Sequence, residues 1–261
     1  MNAAAVIAKK PSFVRALVPE PGRDTCAIWW ASPHAAARPE LVGLLTVAEQ
    51  EKWARLRVDR DQRAYLAAHA LARIVVGSLL NVSPRDVPFT ATCRHCGGVG
   101  HGKPRIPGAD LELSITHSQG RLGVAVTHAV PVGLDVEDEV TGWPVGSLAR
   151  GALTEHERAT LATLPEHRRR SGLLRYWTRK EAVLKATGYG LAVPPVAVAV
   201  SGPNAPPRLL AWPSGLPLGA AVYLHDVRPG PGQLGTVALL GRHLRVTEHE
   251  ASTLLAREHE A

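Results

Sequence analysis

Apolar side chains recur at helical spacing over residues 46–80, most regularly at Leu66, Ala70, Leu71, Ile74 and Val75, which share one helix face. Asn81 and Pro84 close that run. A second helical stretch is predicted over roughly residues 147–187. Short runs rich in β-branched and apolar residues read as strands at 26–31, 111–115, 122–127, 132–137, 195–200, 209–212, 221–227 and 234–240. Gln119-Gly120 supplies one turn, and Arg228-Pro229-Gly230-Pro231-Gly232 joins the last two strands. Residues 93–109 are rich in Gly and Pro and read as loop, while Thr247 with Glu250 offers a capping box for a short final helix. Residues 1–22, with Pro11, Pro19, Pro21 and Gly22, read as a flexible surface segment. Each half then presents long helices followed by antiparallel strands. The predicted class is α+β, built from two similar lobes, 23–128 and 129–261.

The chain has 261 residues, of which 45% are hydrophobic and 20% charged, an ordinary globular composition that excludes disorder, collagen and coiled coil. A net charge of +7 favours anionic partners: nucleic acid, a phosphorylated cofactor or an acidic protein. Three cysteines cannot form a disulfide framework at this length. No apolar run approaches the roughly 18–20 residues of a spanning helix, and at the N-terminus Lys9 and Lys10 follow the apolar stretch, whereas a secretory signal places its charge first. A cytoplasmic chain with no membrane partner is expected.

The most informative segment runs from Trp177 through Lys180, Glu181, Lys185 and Gly188 to Gly190. On a helix Trp177, Glu181 and Lys185 follow at steps of four and line one face with Gly188 beyond them. The two glycines end the helix. A second pattern, Gly133-Leu134-Asp135-Val136-Glu137, alternates so that both carboxylates leave one face of a strand while Leu134 and Val136 enter the core. Two like charges so close call for a cation, and oxygen ligands suit a hard divalent ion such as Mg²⁺, whereas zinc prefers His or Cys. A third carboxylate from Glu181 would complete such a site.

This pair of motifs resembles the signature of the Sfp-type 4′-phosphopantetheinyl transferases, in which a Gly-hydrophobic-Asp-hydrophobic-Glu strand precedes a Trp-x-x-Lys-Glu-Ala-x-x-x-Lys-x-x-Gly-x-Gly helix by some forty residues. Gly102-Lys103-Pro104 and Leu113-Ser114-Ile115-Thr116-His117-Ser118 resemble the family's Gly-Lys-Pro loop and its Asn-hydrophobic-Ser-His-Ser strand, with Ser114 in place of Asn and Thr116 in place of Ser. Upstream, Arg55, Arg57 and residues 61–66 resemble the family's basic stretch, although Ala64 stands where an Arg usually grips the 3′-phosphate and Arg63 is one residue, about 100°, round the helix. His69 and Arg73 lie one and two turns further on.

The resemblance implies a monomeric pseudo-dimer with coenzyme A in the cleft between its lobes. It implies transfer of the phosphopantetheine arm to a serine of an apo acyl or peptidyl carrier protein, whose acidic helix would match the positive chain. By the same resemblance Arg55, Arg63, Lys103, Thr116, His117, Lys180 and Lys185 would contact coenzyme A, with Lys180 supporting the pyrophosphate or Glu181. Asp135, Glu137 and Glu181 would bind Mg²⁺. Glu181 would be the general base for the carrier serine, Lys185 would steady the leaving phosphate, and Trp177 would pack the helix.

Other patterns compete. Residues 97–103 fit Gly-x-x-x-x-Gly-Lys, but Pro104 follows where a P-loop needs Ser or Thr. Cys93-Arg-His95-Cys96-Gly97-Gly98 resembles half a zinc knuckle to which His101 or Cys26 could add ligands, yet no second Cys-x-x-Cys completes a four-ligand site. Neither Gly-x-Ser-x-Gly nor His-Glu-x-x-His occurs. A non-enzymatic basic module binding nucleic acid or an acidic protein, and a metal-dependent nuclease or nucleotidyl transferase, remain as alternatives that leave the Trp177–Gly190 pattern unexplained.

Overall fold

The computed structural model describes residues 18–36, 38–140 and 145–256, so most of the expected N-terminal surface segment lies outside it. In chain order the strands and helices are β1 (Thr25–Ala31), α1 (Val47–Arg55), α2 (Asp59–Leu80), β2 (Thr90–Thr92), β3 (Val99–Arg105), β4 (Glu112–His117), β5 (Leu122–Thr127) and β6 (Val132–Asp138). There follow α3 (Val145–Ala152), α4 (Glu155–Thr163), α5 (Glu166–Thr187), β7 (Ala199–Val200), β8 (Leu209–Ala211), β9 (Val222–Val227), β10 (Gln233–Leu240), β11 (Arg245–Glu250) and α6 (Ser252–Ala256). The α+β class holds. Two sheets carry it, one ordered β11-β1-β5-β4 and one ordered β6-β10-β9.

The helical run predicted over 46–80 is two helices. Thr46 opens α1 with a capping box, its hydroxyl accepting the Glu49 N–H while the Glu49 carboxylate accepts the Thr46 N–H. Leu56 and Val58 are extended and break the run, after which α2 continues to Asn81, whose left-handed conformation ends it. By length and composition α2 is apolar enough to cross a membrane, but 72% of that window is buried in the protein. Its apolar face covers β1, β4 and β5. On the other side α5, also 22 residues long, covers β6 and β10.

Three sequence expectations fail locally. The Gly/Pro-rich stretch 93–109 contains β3, because an irregular hairpin with β2 tolerates glycines at positive φ. Residues 195–200 are mainly a short 3₁₀ turn at Pro195–Ala197, where Pro195 and the preceding Pro194 lack the N–H of a ladder, before the two-residue β7. Thr247 lies inside β11 rather than capping a helix, and α6 starts only at Ser252. That strand pairs in parallel with β1, with Cys26 opposite Val246 and Trp30 opposite Glu250. The Trp30 indole donates to Glu248 at 2.8 Å. Residues 245–256 therefore pair with β1 and pack into the core around α2, across the boundary expected at 128.

Two contacts bring the sheets together where the chemistry is expected. The Leu134 N–H donates to Ser114 Oγ (2.9 Å) and the Val136 N–H to Thr116 Oγ1 (3.2 Å), so hydroxyls on β4 satisfy backbone donors of β6 across a seam with no ladder. On the opposite face of β6, Gly133 lets α5 approach within backbone contact. A Cβ there would fall 2.0 Å from the Ala182 carbonyl and 2.4 Å from the Ala186 nitrogen. Substitution Gly133→Ala must push α5 off the sheet, and urea unfolding should show a loss of about 3 kcal/mol. Gly151→Ala, where an added methyl meets nothing within 4 Å, should be neutral or slightly stabilising.

Candidate active site

Strand alternation sends Leu134 and Val136 into the core and Asp135 toward α5, as the pattern predicted. Opposite them, the helical step of four sets Glu181 and Lys185 on the face of α5 that Gly133 draws in. Lys185 Nζ donates to Asp135 Oδ1 at 2.7 Å and to the Leu134 carbonyl at 3.0 Å, and lies 3.3 Å from Thr116 Oγ1. Four elements of the prediction, Thr116, Asp135, Glu181 and Lys185, thus belong to one buried junction between β4, β6 and α5.

The carboxyls there are under-compensated. Burial raises the Asp135 pKa even against Lys185. Burial and then the Asp135 charge push Glu137 up to about 8, although the Trp177 indole donates to its Oε1 at 3.1 Å. Glu181 rises to about 7 from burial, then the Asp135 charge. Asp135 Oδ2 and Glu181 Oε1 are both buried without a hydrogen-bond partner. Three carboxyls face one ammonium, and orphaned oxygens of this kind are what a hard divalent cation accepts. The donor set therefore fits Mg²⁺ in kind. Among the described residues, however, no three His, Cys, Asp or Glu side chains are gathered around one point, and the cationic place at Asp135 Oδ1 is taken by Lys185.

His117 ends β4 with an exposed surface, yet its pKa is lowered to about 4 by surrounding protein and then by Lys185, His69 and Lys52, with Asp61 opposing. Two of the cations that act on it belong to α1 and α2: Tyr65 stacks on His69 with centroids 4.0 Å apart, and the Lys52 ammonium lies 5.5 Å over the Tyr65 ring. Lys52 was not singled out from sequence, because only the tertiary stacking reveals it.

Other predicted contacts are placed elsewhere. Lys180, expected near the pyrophosphate, is fully buried on the far side of α5, bonded to Glu157 (2.5 Å), the Ala152 carbonyl (2.7 Å) and the Pro195 carbonyl (3.0 Å). It is an internal strut, because a helix cannot present adjacent residues to one ligand. Lys103 is buried against Glu112 at 2.6 Å, and burial lowers its pKa despite that partner. Arg55 is exposed with only a loose Glu51 contact at 3.6 Å, and Arg63 is exposed while Ala64 faces the core. Arg73 is fully buried and bonds Glu49.

Glu49 of α1 bonds His69 and Arg73 of α2. Burial would raise its pKa, but the His69 contact, the Thr46 N–H and Arg73 outweigh this and hold it down to about 2. A carboxylate lowered on folding stabilises above its ordinary pKa and loses that contribution as pH falls toward the folded value. The stability gap between the native chain and Glu49→Gln should be widest above about pH 4.5, on the order of 3 kcal/mol, and close between about 4.5 and 2. Acid titration of both proteins in urea measures it.

Residues 131–221, which include β6, Trp177 and the whole of α5, match the model of the 4′-phosphopantetheinyl transferase superfamily. The 4′-phosphopantetheinyl transferase HetI of Nostoc sp. is 29% identical over 193 residues, 71% of this chain and 78% of its own length. The 4′-phosphopantetheinyl transferase Sfp of Bacillus subtilis is 24% identical over 59% of this chain and 64% of its own length. The crystal structure of Thermotoga maritima holo-[acyl-carrier-protein] synthase overlaps 43% of this chain and 64% of that one at a TM-score of 0.36 and 22% identity, too distant to bear on the fold.

Proposed function

We propose that this chain, a member of the 4′-phosphopantetheinyl transferase superfamily, moves the phosphopantetheine arm of coenzyme A onto a serine of an apo acyl or peptidyl carrier protein. The observation that carries the reading is the junction of Asp135, Glu181 and Lys185, with Thr116 of β4 bonded to the same ammonium.

In the reaction the serine hydroxyl oxygen attacks the β-phosphorus of coenzyme A. A new P–O bond forms, the pyrophosphate P–O bond breaks, and adenosine 3′,5′-bisphosphate leaves. Glu181, whose Oε1 is buried and has no hydrogen-bond partner, is the residue that would take the serine proton and return it to solvent. Lys185, anchored on Asp135 and the Leu134 carbonyl, brings an ammonium to the charge that builds on the departing phosphate. Thr116 positions that ammonium, and His117 and Lys52 would meet the pyrophosphate and nucleotide. A Mg²⁺ ion held by Asp135, Glu137 and Glu181 would supply charge neutralisation of the pyrophosphate. The Trp177 indole holds Glu137 in place for that role. A carrier with an acidic helix beside its serine suits the net charge of +7. We take the enzyme to act as a cytoplasmic monomer.

Incubation with coenzyme A, Mg²⁺ and an apo carrier should add the mass of one phosphopantetheine to the carrier. Glu181→Ala and Asp135→Ala should each lower turnover at least about 100-fold while circular dichroism stays native. EDTA should stop the reaction and Mg²⁺ restore it. Near-normal turnover by either variant would overturn the roles given to these carboxylates. Salt-sensitive binding to duplex DNA without carrier modification would favour the nucleic-acid reading instead.

A further inference from the structure

We propose that Asp138 is a positioning residue for coenzyme A: its carboxylate holds the β4–β5 turn so that His117, at the end of β4, is presented to the phosphates of the coenzyme. This rests on the transferase reading and adds to it a residue on the other face of β6. Strand alternation groups Asp138 with Leu134 and Val136, away from Asp135 and Glu137, so the carboxylate pattern of the sequence does not include it.

Asp138 extends the seam between β4 and β6. Where Ser114 accepts the Leu134 N–H and Thr116 the Val136 N–H, the side chains come from β4 and the backbone donors from β6. Two residues further along β6 the direction reverses, and the Gly120 N–H of the turn donates to Asp138 Oδ2 at 2.9 Å. Asp138 Oδ1 accepts from Gln233 Nε2 at 3.1 Å, and Gln233 is its register partner on β10. Both oxygens of a buried carboxylate are thereby engaged, one by the turn and one by the neighbouring strand.

The turn is short and closes on itself. The Ser118 N–H donates to the Arg121 carbonyl (2.6 Å) and the Arg121 N–H to Ser118 Oγ (3.2 Å). His117 pairs with Leu122 at the last rung of this hairpin, so a displacement of Gly120 is passed directly to His117. Room around Gly120 is narrow, because a Cβ there would fall 3.1 Å from both Asp138 Oδ1 and Gln233 Nε2. The Arg121 guanidinium reaches Glu250 at 2.6 Å, but that carboxylate is exposed and water competes for it. Asp138 holds the backbone itself from a buried position, where a hydrogen bond to a charged acceptor counts for more.

His117 is where the cations of the site converge. Burial lowers its pKa to about 4, followed by the charges of Lys185 on α5, His69 on α2 and Lys52 on α1, with Asp61 opposing. Cations gathered from three helices favour an anion at that place, and a neutral imidazole still donates one N–H to a phosphate oxygen. Because His117 is exposed, its placement depends on the strand and the turn that carry it rather than on packing around the ring.

The test is calorimetric titration of the full chain with coenzyme A in Mg²⁺, with transfer to an apo carrier measured beside it and circular dichroism confirming that each variant folds. Asp138→Ala should weaken coenzyme A binding about tenfold or more and raise the KM for coenzyme A to match, with kcat and the KM for the carrier within about twofold of native. Asp138→Asn should bind within about threefold of native, because its amide oxygen still accepts the Gly120 N–H while Gln233 turns its own amide to meet the new NH₂. On a His117→Ala background Asp138→Ala should add less than about twofold, since the group it positions is gone. Gly120→Ala keeps the carboxylate but displaces the turn; it should weaken binding in the same direction, and it replaces Asp138→Ala should that variant not fold. Native affinity in the alanine variant, full additivity with His117→Ala, or equal losses in Asp138→Asn and Asp138→Ala would overturn the assignment and leave the transferase reading standing. A native chain that neither binds coenzyme A nor modifies a carrier would overturn both.

Discussion

The active junction depends on one close approach, the backbone of α5 lying on β6 at Gly133. No side chain fits between the glycine and the carbonyl of Ala182. Because helix and strand touch at that point, residues one turn either side of Ala182 are delivered at hydrogen-bond distance to the neighbouring strand position. Lys185 can then reach Asp135 and the Leu134 carbonyl together. A larger residue would move the ammonium out of range by the thickness of a methyl group, and charge interactions in a partly desolvated site fall steeply with such a shift.

The rest of α5 keeps that approach rigid. Arg175 donates to the Gly235 carbonyl, and Thr178 meets Thr236 at 3.1 Å. Arg179 binds Asp226 at 2.6 Å together with the carbonyls of Ser201, Gly202 and Ala205. Lys180 and Glu157 form a buried pair, in which loss of either partner would leave the other charge uncompensated at a cost of about 3–5 kcal/mol. Basic residues that look like phosphate ligands in a linear reading are thus turned inward as struts, and Lys185 alone of this cationic series on α5 faces the carboxylate floor.

Patterning made the helices, most strands and the carboxylate face of β6 legible, because a period of two or of 3.6 fixes which side chains share a face. The same rule, applied one residue at a time, would have separated Lys180 from Glu181, since consecutive helical positions diverge by about 100°. The resemblance places them together. What local pattern could not convey was pairing across the fold: Lys103 with Glu112, Tyr65 with His69, and the seam where Ser114 and Thr116 receive N–H groups from β6. Ser114 in place of an amide still works there, because the seam needs only one acceptor oxygen at that position. The final strand departs from its local pattern for a related reason: Thr247 and Glu250 have capping-box spacing, but the edge of β1 offers that segment a full ladder.

That ladder governs how the molecule is assembled. The parallel edge of the first sheet is contributed by residues more than 200 positions downstream of its partner, so the ribosome releases β1 long before β11 exists. Until then Trp30 lacks Glu248, and an apolar strand edge stays open to solvent and to other nascent chains. Closure of so distant a loop makes a late, slow step of maturation, and a chaperone that shields this edge during synthesis would raise the yield of native protein more than one acting on the helices.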